Sequence, residues 1–212
     1  MSNARYGIFG GTFDPPHIAH LILAEEAYVQ LRLDRVLWIV TPEPPHKRGQ
    51  PLTPWPLRVR LVQAAVSDNP AFEVSLLEGE RPGPHYAVET MRILRRRYPH
   101  ATLVYLMGGD SLATLPSWYR PQEFVELCDE IGVLRRPYDA ADLDALEAEL
   151  PGLAAKVRFL ETPLLDISAS DIRQRVAQGR PYRYFVHPGV AQLIQSLALY
   201  QRAPVPVSEH TP

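Results

Sequence analysis

A mainly parallel, doubly wound α/β sheet with a helical C-terminal portion is the fold class this sequence predicts, and three observations predict it. Short apolar runs recur along the chain, amphipathic stretches lie between them, and the last third holds two amphipathic stretches with no apolar run between. Strand alternating with helix in this way makes a parallel sheet covered on both faces.

Each element has its own reason. RYGIFG and RVLWIV are continuous apolar segments of strand length, as are ATLVYLM, EIGVLR and KVRFLE, and FEVSL is a weaker sixth. LILAEEAYVQLRL, PLRVRLVQAAVSD, YAVETMRILRRRY and ADLDALEAEL repeat apolar residues every three or four positions, which is a helix with one buried face. SASDIRQRVAQ and VAQLIQSLALY are the two C-terminal helices. Without an internal repeat or a low-complexity linker, residues 1–203 read as one domain, and the aperiodic APVPVSEHTP predicts a frayed tail over 204–212.

Bulk properties exclude several functions. With 212 residues, 46% of them hydrophobic and 22% charged, the chain has the composition of an ordinary globular domain. A formal charge of −2 leaves no broad basic footprint for nucleic acid. One cysteine, Cys128, rules out an intrachain disulfide and reads as a small buried residue in a helix. Residues 1–25 carry no signal-peptide pattern and no apolar run spans a bilayer, so a cytoplasmic address without membrane contact is expected. The 22 prolines are scattered among loops such as TPEPPHK and RPGPH, which stiffens them.

Ligands of open α/β sheets bind outside the carboxyl ends of the strands, so segments that directly follow strands are the candidates. GGTFDPPHIAH follows the first one. Gly10 and Gly11 let backbone N–H groups approach a ligand, and Pro15 and Pro16 set the entry to a helix beginning near Ile18. That helix terminus offers unpaired N–H donors and a partial positive charge, which favour phosphate. His17 and His20, three apart, face the same side, and Thr12 adds a hydroxyl. A lone histidine at such a position is usually mere surface, and a metal pair needs a third ligand that is not evident nearby. Phosphate binding is the better reading. It is neither a Walker A loop nor a G-x-G-x-x-G fingerprint.

GGTFDPPHIAH resembles the signature of the H-x-G-H nucleotidyltransferase superfamily, and more narrowly that of bacterial nicotinate-nucleotide adenylyltransferases, with Ala19 where the family usually has Gly. Further motifs carry the resemblance from residue 7 to about residue 200. ISASDIR is a helix start in its own right, with Ser168 as N-cap, Asp171 at N3 and Ile167 with Ile172 as a staple. It also matches the family's I-S-x-[ST]-x-x-R, which implies that Ser168, Ser170 and Arg173 hold the ATP phosphates. GGDSLATLPSWY resembles the G-x-D-S-L…W-Y block, which implies Asp110 on ribose hydroxyls and Trp118, beside Tyr119, stacked on a pyridine ring, although a core role is the ordinary one for a tryptophan. His46 and Lys47 in PPHK, and Arg136 in RRP, match basic loops near substrate phosphates. Where the family reads S-Y-T, this chain reads His85-Tyr86-Ala87, so Tyr86 is kept in the mononucleotide site while one hydroxyl bond, worth roughly 0.5–1.5 kcal/mol, is lost. A protonated His85 would compensate.

The resemblance implies a Rossmann-like enzyme that joins ATP and nicotinate mononucleotide into nicotinate adenine dinucleotide and pyrophosphate. His17 and His20 would bear the transition-state charge. Gly10, Gly11 and Thr12 would line the phosphates, and Mg²⁺ would bridge them, with no side chain assigned as a metal ligand. Nicotinamide mononucleotide or another phosphorylated metabolite, such as phosphopantetheine, stays open as acceptor. From a different class, so does a non-catalytic dinucleotide sensor. No oligomeric state is assigned.

Overall fold

Six strands form one sheet in the computed structural model, which describes residues 4–44, 49, 51–134, 142–163 and 165–201. The strands are β1 (Arg5–Gly11), β2 (Arg35–Val40), β3 (Phe72–Ser75), β4 (Thr102–Gly108), β5 (Glu130–Leu134) and β6 (Val157–Leu160). Their order is β3-β2-β1-β4-β5-β6 and every pairing is parallel, so the expected mainly parallel sheet is wholly so among the described residues. The weak candidate FEVSL is β3, an edge strand of four residues.

Alternation along the strands feeds two separate cores. Ile8, Leu37, Tyr105 and Ile131 point to one face, where they meet Val88, Met91 and Leu94 of α3 (Ala87–Arg97). Phe9, Trp38 and Leu106 point to the other, against Leu23, Ala24 and Ala27 of α1 (Ile18–Gln30) and Val59 and Val62 of α2 (Trp55–Val66). Residues of both faces are buried, which explains why the strands read as unbroken apolar runs.

The loop after β4 is more structured than its sequence predicts. α4 (Gly109–Ala113) and a 3₁₀ turn over Leu115–Ser117 lead to α5 (Pro121–Leu127), none of which shows a long apolar period. Cys128 is buried as expected but is the residue that ends α5, not one within it. Burial pushes its thiol well above the ordinary range, which makes it an inert packing group. After α6 (Leu143–Glu149) and α7 (Leu153–Lys156), the C-terminal portion is helical as expected, with α8 (Ala169–Ala177) and α9 (Pro188–Ser196). α9 stops four residues short of the periodic pattern, because Ala198 and Tyr200 turn to positive φ and carry the chain back toward the sheet. Among the described residues no helix is long and apolar enough to cross a membrane.

One charged residue in the apolar helix α2 holds these parts together. Arg58 is 1% exposed. Its Nε donates to the Thr53 carbonyl (2.8 Å), one terminal nitrogen to those of Thr12 (2.7 Å) and Thr41 (2.8 Å), and the other to that of Pro42 (2.7 Å). These carbonyls belong to chain that has just left β1 and β2 or is about to enter α2, where the sheet offers no partner. Burial lowers the pKa of Arg58 from its usual value, and the nearby Asp14 carboxylate opposes that shift.

Replacing Arg58 by Met should leave four buried or half-buried carbonyls short of a donor and lower unfolding free energy by about 3 kcal/mol or more. Urea unfolding measures this. Lysine should recover only part of the loss, since an ammonium cannot reach three separate loops.

Candidate active site

The sheet order reverses between β1 and β4, and a cleft of about 850 Å³ opens there, at the carboxyl ends of the strands. It collects Gly10, Gly11, Thr12, His17 and His20 from the first loop with Tyr86, Asp110, Trp118 and Tyr119 from later ones. Nine expected site residues thus share one cavity, although up to 109 positions separate them.

His17 is the N-cap of α1, with extended φ −140° and ψ 172°. Its backbone N–H donates to His20 Nδ1 at 3.2 Å, and the two imidazoles stack with centroids 3.6 Å apart. The edge of Phe13 supports the other side of His20 at 5.1 Å. Because Nδ1 accepts, the neutral His20 ring carries its hydrogen on Nε2. The i, i+3 spacing predicted neighbours on one side, and the structure adds a local lock on their orientation.

Phe13 itself adopts φ 49°, a left-handed conformation costly for a bulky residue, held by packing against Phe9 and Trp38. Its ring lies so close to Gly11 that a Cβ there would come within 2.8 Å of it. Gly11 is therefore required by the loop's own packing. Gly108 has a similar role, because a Cβ would lie 2.5 Å from Asp110 Oδ1. Its absence lets the carboxylate fold against the backbone at the start of α4.

Asp14, given no role from sequence, is a second junction. It is 3% exposed; its carboxylate accepts from the Thr53 N–H at 3.2 Å and the Tyr200 hydroxyl at 2.8 Å, and its carbonyl accepts from Arg173 at 2.7 Å. Burial, with the Asp14 carboxylate beside it, raises the pKa of the Tyr200 hydroxyl far above its usual value. The only hint in the sequence is an acid before two prolines, which is ordinary loop chemistry.

The ISASDIR residues are placed differently from the others. Ser168 accepts from the Asp171 N–H at 3.1 Å as the predicted cap, and Ile172 is fully buried with Ile167 in the same core. Ser170 lies 3.0 Å from the Ser168 hydroxyl, while Arg173 reaches the first loop through Asp14. None of Ser168, Ser170 and Arg173 lines the cleft itself. His46, Lys47 and Arg136 lie outside the described residues.

The aromatic end of the cleft is built from Trp118, which packs against Tyr105 (6.2 Å) and Phe124 (5.3 Å). Tyr86 and Tyr119 stack at 4.3 Å beside it. Arg120 follows with φ 51°, so that, like Thr12 before Phe13, the cleft-lining Tyr119 precedes a left-handed non-glycine residue. Tyr105 is a strand residue whose hydroxyl sits 3.0 Å from where a Cβ on Gly10 would be. Two further polar groups on this wall, Glu78 and Thr90, carry no recognisable motif: a single Glu in a loop and a Thr in a helix are unremarkable until folded.

A groove with paired imidazoles at a helix terminus, a backbone-rich floor and an aromatic end fits an anionic nucleotide beside a flat ring. Comparison with known proteins agrees with that chemistry. Residues 8–175 match the cytidylyltransferase-like family. A protein of Thermomicrobium roseum named "probable nicotinate-nucleotide adenylyltransferase" is 44% identical over 209 residues, spanning 99% of this chain and 97% of its own. One of the same name from Roseiflexus is 45% identical over 201 residues, spanning 95% and 100%. The fold matches that of Plasmodium falciparum nicotinic acid mononucleotide adenylyltransferase, solved with NaAD, at a TM-score of 0.78 and 17% identity over 93% and 98% of the two chains. The chain belongs to the cytidylyltransferase-like family and, within it, to the nicotinate-nucleotide adenylyltransferases.

Proposed function

We propose that the protein transfers the adenylyl group of ATP to the 5′-phosphate of nicotinate mononucleotide, forming nicotinate adenine dinucleotide and releasing pyrophosphate. One observation carries the reading: a single cleft at the β1/β4 reversal holds both the stacked His17–His20 pair and the Trp118 block. The phosphate of the mononucleotide is already ionised at neutral pH, so no protein nucleophile is needed. It attacks the α-phosphorus of ATP in line, and the bond to the pyrophosphate oxygen breaks.

Catalysis is then positioning and charge stabilisation. His20 donates through Nε2–H to a phosphoryl oxygen, and His17, at the positive end of α1, adds a second group on the same side. Gly10, Gly11 and Thr12 bring backbone and hydroxyl donors to the phosphates. Arg173 steadies the loop through the Asp14 carbonyl, with Ser168 and Ser170 holding the start of α8 behind it. Asp110 takes the ribose and Trp118 the ring, with Tyr86 and Tyr119 alongside. His46, Lys47 and Arg136 belong to the same proposal as phosphate-side cations.

The described residues include no cluster of three or more His, Cys, Asp or Glu side chains able to hold a metal ion. Mg²⁺ is read as entering with ATP, whose phosphates it would bridge, and no step is routed through it.

Pyrophosphate release from ATP, assayed with nicotinate and nicotinamide mononucleotides side by side, tests the activity, and no release with either overturns it. His20→Ala should lower turnover about 10²-fold or more while the fold is kept, as removal of a transition-state donor does. Near-normal turnover in a folded variant would remove His20 from the mechanism. Trp118→Ala should raise the mononucleotide KM by about fivefold to tenfold and leave that for ATP nearly unchanged. An equal rise for both substrates contradicts the stacking role.

A further inference from the structure

The first loop is tied to a segment far along the chain that the mechanism above does not use. Residues 197–200 follow α9, and two of them, Ala198 (φ 49°) and Tyr200 (φ 63°), adopt the left-handed conformation. Neither is glycine, and a bulky tyrosine there is strained, so surrounding contacts must hold it. The Tyr200 ring packs against the core that contains Phe9, Phe13 and Leu23. Its hydroxyl reaches further and donates to Asp14 Oδ1 at 2.8 Å. The Thr53 side chain is the other hydrogen-bond neighbour of that hydroxyl.

Asp14 stands three residues before His17, with Pro15 and Pro16 between them. Each proline ring fixes its own φ, so the link is a stiff arm with little freedom to absorb a shift. His17 in turn caps α1 and holds His20 through its backbone N–H. A displacement of Asp14 therefore carries to both imidazoles. Three donors set its place: the Thr53 N–H on Oδ2, the Arg173 guanidinium on the carbonyl, and the Tyr200 hydroxyl on Oδ1. Asp14 is 3% exposed, which makes an unsatisfied oxygen there costly. Loss of one donor thus favours a shifted carboxylate over a stationary one.

We propose that Tyr200 is a positioning residue for adenylyl transfer, which acts through Asp14 and the Pro15–Pro16 arm to set the His17–His20 pair against the reacting phosphates. This rests on the proposed activity and deepens it. Packing alone requires the Tyr200 ring, whereas positioning requires its hydroxyl, and Tyr200→Phe separates the two.

The test is a double-mutant cycle on kcat. Tyr200→Phe should lower kcat about tenfold, as a small misplacement of a catalytic group does, with the KM for ATP and for nicotinate mononucleotide each changed by less than about twofold. His17 and His20 act as a unit, so in the His20→Ala background the same change should lower kcat by less than about twofold. A merely structural role predicts equal losses in both backgrounds, because a general loss of order does not depend on His20. Urea unfolding checks that each variant is folded. An unchanged kcat in Tyr200→Phe, an effect confined to KM, equal losses in both backgrounds, or a Tyr200→Phe protein that does not fold overturns the proposal. Absence of pyrophosphate release by the unaltered protein with either mononucleotide would instead overturn the activity on which it rests.

Discussion

The buried Arg58 guanidinium is the constraint on which the site's geometry depends. Parallel strands end at one edge with carbonyls pointing into chain that must turn away, and three such turns meet beside β1 and β2. A single planar cation with several fixed donors satisfies them together, which a point charge could not. The cost of burying that charge is offset by four hydrogen bonds and by the nearby Asp14 carboxylate. The first loop is therefore held in place before any ligand arrives.

Rigidity matters here because the proposed chemistry has no covalent protein intermediate. Rate comes from holding two phosphates in line and meeting charge where it develops. The same economy recurs at several scales. His17 fixes His20 through one backbone N–H, Phe13 supports His20 while resting on Gly11, and Asp14 joins the first loop to Thr53, α8 and Tyr200. Two left-handed residues, Phe13 and Arg120, sit next in the chain to the cleft-lining Thr12 and Tyr119, where packing elsewhere can sustain local strain.

Much of the site was legible because its parts are local. A Gly-Gly turn, two histidines three apart and a cap residue each occupy a few consecutive positions, and their geometry follows from helix and strand periods. The helices after β4 were not legible, since α4 and α5 are too short to express a period. Ser168 and Ser170 illustrate the converse. The capping role of Ser168 was readable from spacing and is what the structure contains, while the position of both serines outside the cleft lining depends on how α8 docks.

The sequence alone determined a parallel α/β sheet, the strand ends where ligands gather, and the histidine segment, because each rests on periodicity or on residues close in the chain, while the tryptophan segment was singled out by its resemblance to the family's motif. Only the tertiary structure decided that Arg58 is buried rather than solvated, that Asp14 and Tyr200 meet across 186 positions, and that Glu78 is buried in the cleft wall. The physical reason is the same in all three. Whether a charged side chain lies in water or in the core depends on which distant segments close over it, and no local pattern encodes that.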